Sequence, residues 1–120
     1  MIDKRQNIRV LFDAKVNVYS EKGEVISNKT KNICLKGLYV YSDKKPAVGE
    51  LCDVQMILDK EKDVVLRFKA KVLRCDNEGF VLNFIATDLN SISHLRNILS
   101  YNSGNPERIE QELKKMFGLQ

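Results

Sequence analysis

Apolar and polar residues alternate over much of the chain, as they do in strands that bury one face. In residues 8–19, Val10 and Val16 fall on one parity while Arg9 and Asp13 fall on the other. The same period of two recurs further along, between breaks rich in charged residues, glycine and proline. The pattern predicts about six short strands, at residues 8–19, 24–34, 37–41, 52–58, 64–72 and 80–84.

Turn-forming sequences separate these segments, at residues 20–23, 45–49, 59–63 and 76–79. No helical pattern intervenes, and parallel pairing would need long crossover connections. The strands are therefore expected to pair antiparallel. A small closed barrel removes the open edges that such a sheet would otherwise expose. The predicted fold is all-β, a small six-stranded antiparallel barrel.

The period changes near residue 90, where helical spacing begins. The apolar residues on this spacing are first Ile92, Leu95, Ile98 and Leu99, and later Ile109, Leu113, Met116 and Phe117. Gly104 is expected to end the first helix, and Asn105 with Pro106 is typical of the start of a second. Helices this short need a surface to pack on. The second apolar face has two interpretations, packing within the chain or pairing with another copy in a homodimer.

Composition narrows the classes of protein. The chain has 120 residues, 43% hydrophobic and 30% charged, with no apolar run near the ~20 residues of a membrane span. Its polar first residues lead into no long apolar run, so we expect no signal peptide. Cys34, Cys52 and Cys75 are widely spaced and odd in number, which favours reduced thiols over a disulfide framework. These features predict a cytoplasmic protein.

Catalysis and metal binding find little support in the sequence. With His94 as the single histidine, a zinc site of the usual ligand number is not expected. Nothing near His94 resembles the nucleophile of a catalytic set. We therefore predict no enzyme, no metal and no cofactor. The formal net charge of +4 permits an anionic ligand without requiring one.

Two short motifs lie near the first predicted strands. Arg5 and Arg9 form R-x-x-x-R ahead of the first strand, and the second strand ends in N-x-C-x-x-G, from Asn32 to Gly37. Alone, R-x-x-x-R occurs by chance in many basic chains. In this order and spacing, on an all-β chain, the two motifs resemble those of the PilZ domain family, which pairs R-x-x-x-R with D/N-x-S-x-x-G. Later segments extend the resemblance over roughly residues 4–100, among them Gly37-Leu-Tyr-Val and Gly79-Phe-Val-Leu-Asn-Phe.

The resemblance implies a bacterial receptor for the second messenger cyclic di-GMP, which has two phosphodiester charges and two guanines. The site residues that it implies, together with their basic neighbours, are Lys4, Arg5, Arg9, Asn32, Cys34, Lys36 and Gly37. Guanidinium groups hold phosphate oxygens bidentately and also bond guanine edges. The ligand is expected to draw the N-terminal leader onto the barrel and so change the surface presented to a downstream protein partner.

The same resemblance implies one domain over residues 1–120. Within it, residues 1–9 form the leader, residues 8–87 the barrel and residues 90–120 a C-terminal helical tail.

One position departs from the family pattern, since Cys34 stands where the family has serine. A thiol is a weaker hydrogen-bonding group than a hydroxyl, so a side-chain contact with the ligand would lose about 1 kcal/mol. This departure keeps a second interpretation open. In that interpretation the chain is a PilZ-like adaptor that no longer binds ligand and acts through protein–protein contacts.

A third interpretation, a nucleic-acid-binding barrel, rests on the basic stripe Arg67, Lys69 and Lys71. Barrels that bind single strands set aromatic side chains among the basic ones for stacking. Phe68 falls on the opposite parity, toward the predicted core. The stripe is therefore expected to be a solvated strand face, which argues against nucleic acid as a partner.

Overall fold

A computed structural model describes residues 7–59, 61, 62 and 64–118, and about half of them lie in one antiparallel sheet. Its strands are β1 (Val10–Leu11), β2 (Lys15–Ser20), β3 (Val25–Cys34), β4 (Gly37–Tyr41), β5 (Leu51–Asp59), β6 (Val64–Cys75) and β7 (Gly79–Thr87). The strand order is β1-β3-β2-β5-β6-β7-β4, and a further pairing of β3 with β4 closes the sheet. Strands β2 to β7 thus form a six-stranded barrel, with β1 as an extra strand on β3. The predicted fold class is confirmed.

The first predicted strand is divided into β1 and β2, and Thr30 explains the division. Its hydroxyl donates to the carbonyl of Phe12 and accepts from the amide of Ala14, at 3.4 Å. The side chain thus occupies the place where the ladder to β3 would continue. The alternation survives the bend, because Val10 and Ala14 both remain buried. The alternation therefore predicts the buried positions correctly on both sides of the bend, although it does not predict the bend itself.

The core lies inside the barrel and is built by the predicted alternation. Its most deeply buried side chains include Val16, Val18, Ile33, Val40, Val54, Met56, Leu66, Ala70, Val72, Phe80 and Leu82. Phe68 points inward and stacks on Phe84, with ring centroids 4.0 Å apart. Burial of these apolar side chains is the main stabilising term of the fold.

Two helices follow the barrel, α1 (Leu89–Ser103) and α2 (Pro106–Met116). Helix α1 packs against β6 and β1 and buries Leu95 and Leu99, and α2 packs against α1. The predicted signals are confirmed: Gly104 ends α1 in a left-handed conformation (φ 67°), and the Asn105 side chain accepts from the amide of Arg108 at 3.2 Å. Within the described residues, neither helix has the length and apolar character needed to cross a membrane.

Candidate functional site

A cleft of about 390 Å³ opens on the outside of the barrel, beside the hairpin that joins β3 to β4. Its walls come from the chain before β1, from β3, β4 and β7, and from the end of β6 and the turn after it. The lining residues are Asn7, Arg9, Lys31, Asn32, Cys34, Lys36, Gly37, Leu38, Tyr39, Leu73, Arg74, Asp76, Val81, Leu82 and Asn83. The volume falls within the usual range for small-ligand sites, roughly 300–1,000 Å³.

Strand register places Arg9 of the first motif beside the second motif. Val10 lies opposite Ile33 in the antiparallel ladder, and both side chains point into the core. Side chains alternate between the two faces of a strand, so Arg9, Asn32 and Cys34 lie on the outer face. All three line the cleft. Arg9 lies more than 20 positions before Asn32 and Cys34 in the sequence, and the β1–β3 pairing brings them together.

The second motif forms a two-residue hairpin turn. Cys34 pairs with Gly37 across the turn, Leu35 is buried, and Lys36 is exposed at the tip. The carbonyl oxygen of Lys36 accepts a hydrogen bond from the amide of Phe84 at 2.7 Å. This bond ties the turn to β7, so the Lys36 side chain stands on a fixed backbone at the rim of the cleft.

Gly37 is required by the packing of the barrel. An added Cβ at this position would lie 2.0 Å from the carbonyl oxygen of Leu82 and 3.3 Å from the Cα of Asn83, both in β7. The structure thus shows a close approach between two strands at Gly37. Gly37 therefore brings β4 against β7 at the floor of the cleft.

Tyr39 and Asp76 form a polar pair on another wall of the cleft. The Tyr39 hydroxyl donates to Oδ1 of Asp76, which also accepts from the amides of Glu78 and Gly79, at 2.9 and 3.0 Å. Burial, with help from Asp76, raises the pKa of Tyr39, while the Tyr39 hydrogen bond lowers the pKa of Asp76. The ammonium of Lys31 lies 5.4 Å from the centre of the Tyr39 ring. The cleft thus presents a neutral phenol held firmly in place.

Basic side chains dominate the charge around the cleft. Arg9, Lys31, Lys36 and Arg74 line it against a single acidic residue, Asp76. Among the residues that the structure describes, Arg9, Lys36 and Arg74 form no ion pair. Unpaired positive charges around a concave surface attract and concentrate anions. The arrangement is suited to a small ligand with more than one negative charge.

The predicted site residues can now be located. Arg9, Asn32, Cys34, Lys36 and Gly37 all line the one cleft. Lys4 and Arg5 lie outside the described residues.

Sequence reasoning did not assign the other polar lining residues to the site, namely Asn7, Lys31, Tyr39, Arg74, Asp76 and Asn83. Apart from Lys31, which lies in β3 beside Asn32, they come from other segments of the chain. The strand register that brings them together cannot be obtained from a single sequence.

The basic stripe lies elsewhere on the barrel. Arg67, Lys69 and Lys71 are exposed on β6, and Lys69 pairs with Asp53 at 3.5 Å. Phe68, between them, is 3% exposed and points to the core. The stripe is thus the solvated strand face that the sequence predicted. In the described ranges, no group of three or more His, Cys, Asp or Glu side chains could hold a metal ion.

The chain belongs to the PilZ domain family, whose model matches residues 3–101. No curated protein matches the sequence.

Solved structures share the fold at low sequence identity. The inhibitor of motility MotI (DgrA) of Bacillus subtilis aligns with 19% identity and a TM-score of 0.70, over 87% of this chain and 53% of that one. The present chain thus spans about half the length of MotI. The PilZ domain of CeSA from a cellulose-synthesizing bacterium aligns with 16% identity and a TM-score of 0.61, over 77% and 94% of the two chains. The PilZ domain of YcgR from Escherichia coli, solved with c-di-GMP, aligns with 11% identity and a TM-score of 0.66, over 97% and 98%.

Proposed function

We propose that this chain is a receptor for cyclic di-GMP that binds the ligand in the cleft beside the β3–β4 hairpin. The observation that carries the proposal is the convergence of Arg9 with Asn32, Cys34 and Gly37 on one basic cleft. A PilZ domain of the same fold has been solved with c-di-GMP, which supports this choice of ligand. The proposal involves no catalytic step and no cofactor.

The chemistry of the cleft suits the two parts of the ligand. Arg9, Lys36 and Arg74 would face the phosphodiester groups, because charge-assisted bonds to phosphate are the strongest available to these side chains. Asn32 offers a donor and an acceptor to a guanine edge. Arg5 and Lys4 complete the proposed site from the leader, residues 1–9. Residues 7–9 already lie against the folded chain without ligand. The proposed signal to a downstream protein partner is therefore the drawing of Lys4 and Arg5 onto the bound ligand, in keeping with a shift between two populated states.

Isothermal titration calorimetry with cyclic di-GMP tests the proposal, with GTP and the linear dinucleotide as competing ligands. We expect saturable binding of the cyclic form alone. Arg9→Ala should weaken it roughly 10- to 100-fold, since a hydrogen bond to a charged group contributes about 1.5–3 kcal/mol. Arg67→Ala is the matched control, because it removes the same charge from the exposed face of β6 and should leave the affinity within about twofold.

Two results would contradict the proposal. One is the absence of both heat and a melting-temperature shift at millimolar cyclic di-GMP. The other is an equal loss of affinity in Arg67→Ala, which would show a nonspecific charge effect. The first result would favour the second candidate, an adaptor without ligand, whose support is the thiol of Cys34 at the position of the family serine.

The homodimer through the C-terminal helix remains a prediction. Of the predicted apolar face, Ile109 is buried, whereas Met116 and Phe117 are 36% and 59% exposed. Ile109 therefore packs within the chain, and the far end of α2 remains open to a partner. Sedimentation of the chain with and without Phe117→Ser measures whether that partner is a second copy.

A further inference from the structure

Helix α2 holds Asn7 and Ile8, near the end of the leader, through the carboxylate of Glu112. Both oxygens of this carboxylate accept from the amide of Ile8, at 3.2 and 3.0 Å, and Oε1 also accepts from the side-chain amide of Asn7 at 3.1 Å. Helix α2 lies outside the residues matched by the family model, which end at 101. The contact thus joins the matched region, which includes Asn7 and Ile8, to a helix that follows it.

Glu112 is buried, and its partners account for its position. A buried carboxylate is costly unless it is hydrogen-bonded or paired. One partner comes from its own helix, with Arg108 Nε 3.5 Å from Oε2. The others come from the leader, so the leader satisfies much of the hydrogen-bonding capacity of this charge. Glu112 lies three residues after Ile109, so both side chains lie on the buried face of α2.

The two residues that Glu112 holds, Asn7 and Ile8, come directly before Arg9, a proposed ligand contact. Ile8 lies between Asn7 and Arg9, and both neighbours line the cleft. Ile8 itself packs against the core of the barrel. Glu112 holds the amide of Ile8, and Val10 pairs with β3. The backbone is therefore held on both sides of Arg9. The backbone around the arginine is therefore positioned before any ligand arrives.

We propose that Glu112 is a positioning residue for the binding of cyclic di-GMP. By holding residues 7–9 at the cleft, Glu112 lowers the entropic cost of binding this ligand. The inference rests on the proposed function. Preorganisation raises affinity because a segment that is already ordered loses less freedom on binding. Without the hydrogen bonds to Glu112, the ligand would have to order residues 7–9 as it binds. The entropic cost would be comparable to fixing the backbone of one residue or more. Glu112 does not touch the ligand in this arrangement.

The test combines affinity with amide exchange in the full chain. Glu112→Ala should weaken cyclic di-GMP about tenfold, equivalent to about 1.4 kcal/mol, and should speed hydrogen exchange at the Ile8 amide by a similar factor without ligand. Glu112→Gln keeps an acceptor oxygen and should restore part of both. Glu110→Ala is the matched control, because it breaks the contact between Glu110 and Arg96 on α1, 3.6 Å apart, without reaching the leader. It should change neither measurement.

The outcomes separate this inference from the receptor function. If the wild-type chain binds no cyclic di-GMP, the receptor function fails and positioning for this ligand fails with it. If the wild type binds and Glu112→Ala binds equally well, the inference alone is overturned. Tighter binding by both Glu112 variants would also overturn it, since that result identifies the carboxylate as a repulsive charge. Unchanged exchange at Ile8 would show that Glu112 does not anchor the leader.

Discussion

Replacing Gly37 by alanine should force apart β4 and β7, the two strands that floor the cleft. The new Cβ would lie 2.0 Å from the carbonyl oxygen of Leu82 and 3.1 Å from its carbonyl carbon. All the nearest atoms belong to the backbone of β7, so no rotamer change can relieve the overlap. The strands would have to separate by about 1.4 Å or more to bring this distance to ordinary van der Waals contact, at 3.4–4 Å.

The magnitude follows from the hydrogen bonds at that point. Gly37 pairs with Asn83, and Leu38 with Leu82. A separation of about 1.4 Å lengthens N···O distances from about 2.9 Å to about 4.3 Å, beyond hydrogen bonding. Two such bonds lost in a buried sheet, with their groups left unsatisfied, cost roughly 3–5 kcal/mol. For a domain of this size that is a fall in melting temperature of about 15 °C.

Thermal and urea unfolding followed by circular dichroism measure this change, with Gly23→Ala as the matched control. Gly23 has a positive φ of 91° and no atom within 4 Å of an added Cβ. Its substitution should therefore carry only the left-handed backbone penalty, about 1–2 kcal/mol. A loss in Gly37→Ala no greater than that in Gly23→Ala would refute the close-approach argument. Ligand binding, and not strand packing, would then be the reason for glycine at position 37.

The three cysteines supply the remaining predictions. Cys34→Ser should tighten cyclic di-GMP about fivefold by calorimetry, since a hydroxyl contributes about 1 kcal/mol more than a thiol where it contacts the ligand; weaker binding would contradict a side-chain contact. Cyclic di-GMP should slow alkylation of Cys34, which lines the cleft, but not of exposed Cys75, as mass spectrometry can measure; equal protection of both would contradict the assigned site. Burial raises the pKa of Cys52 to about 11 from 9.0, so the fold keeps a proton that the unfolded chain loses. Its contribution to stability is complete below pH 9 and falls as the pH rises from 9 to 11. Urea unfolding across this range should show a shallower decline in Cys52→Ala than in Cys75→Ala, by up to about 1.4 kcal/mol per pH unit, and identical slopes would contradict the argument.

The barrel could be predicted from sequence because the alternation of apolar residues survives local irregularity. Val10, Ala14 and Val16 keep one parity through the bend at Thr30, and their burial follows that parity. The bend itself depends on a hydroxyl from the neighbouring strand. Such a contact between strands leaves no trace in the period of either strand, so the sequence predicted one strand where the structure has two.

The cleft was predictable only where its residues lie within the two motifs. Arg9, Asn32 and Gly37 belong to a recognisable spacing, whereas Arg74 and Asp76 reach the same cleft through the pairing of β6 and β7. That pairing includes register shifts between Lys69 and Ala70 and between Val72 and Arg74. A shift of one residue moves a side chain to the other face of the sheet. The wall of the cleft that Arg74 and Asp76 form therefore depends on irregular strand pairing, which the sequence periodicity does not predict.

The closure of the barrel also sets the order in which the cleft can be assembled during folding. The β3–β4 hairpin joins neighbours in sequence, whereas β4 meets β7 across a long stretch of chain, Gly37 against Asn83. Contacts between distant residues form slowly, because the entropy of closing a long loop must be overcome first. A chain arrested before this closure would have the hairpin and its basic residues but no opposite wall. The ability to bind an anion in the cleft would thus report the completion of folding.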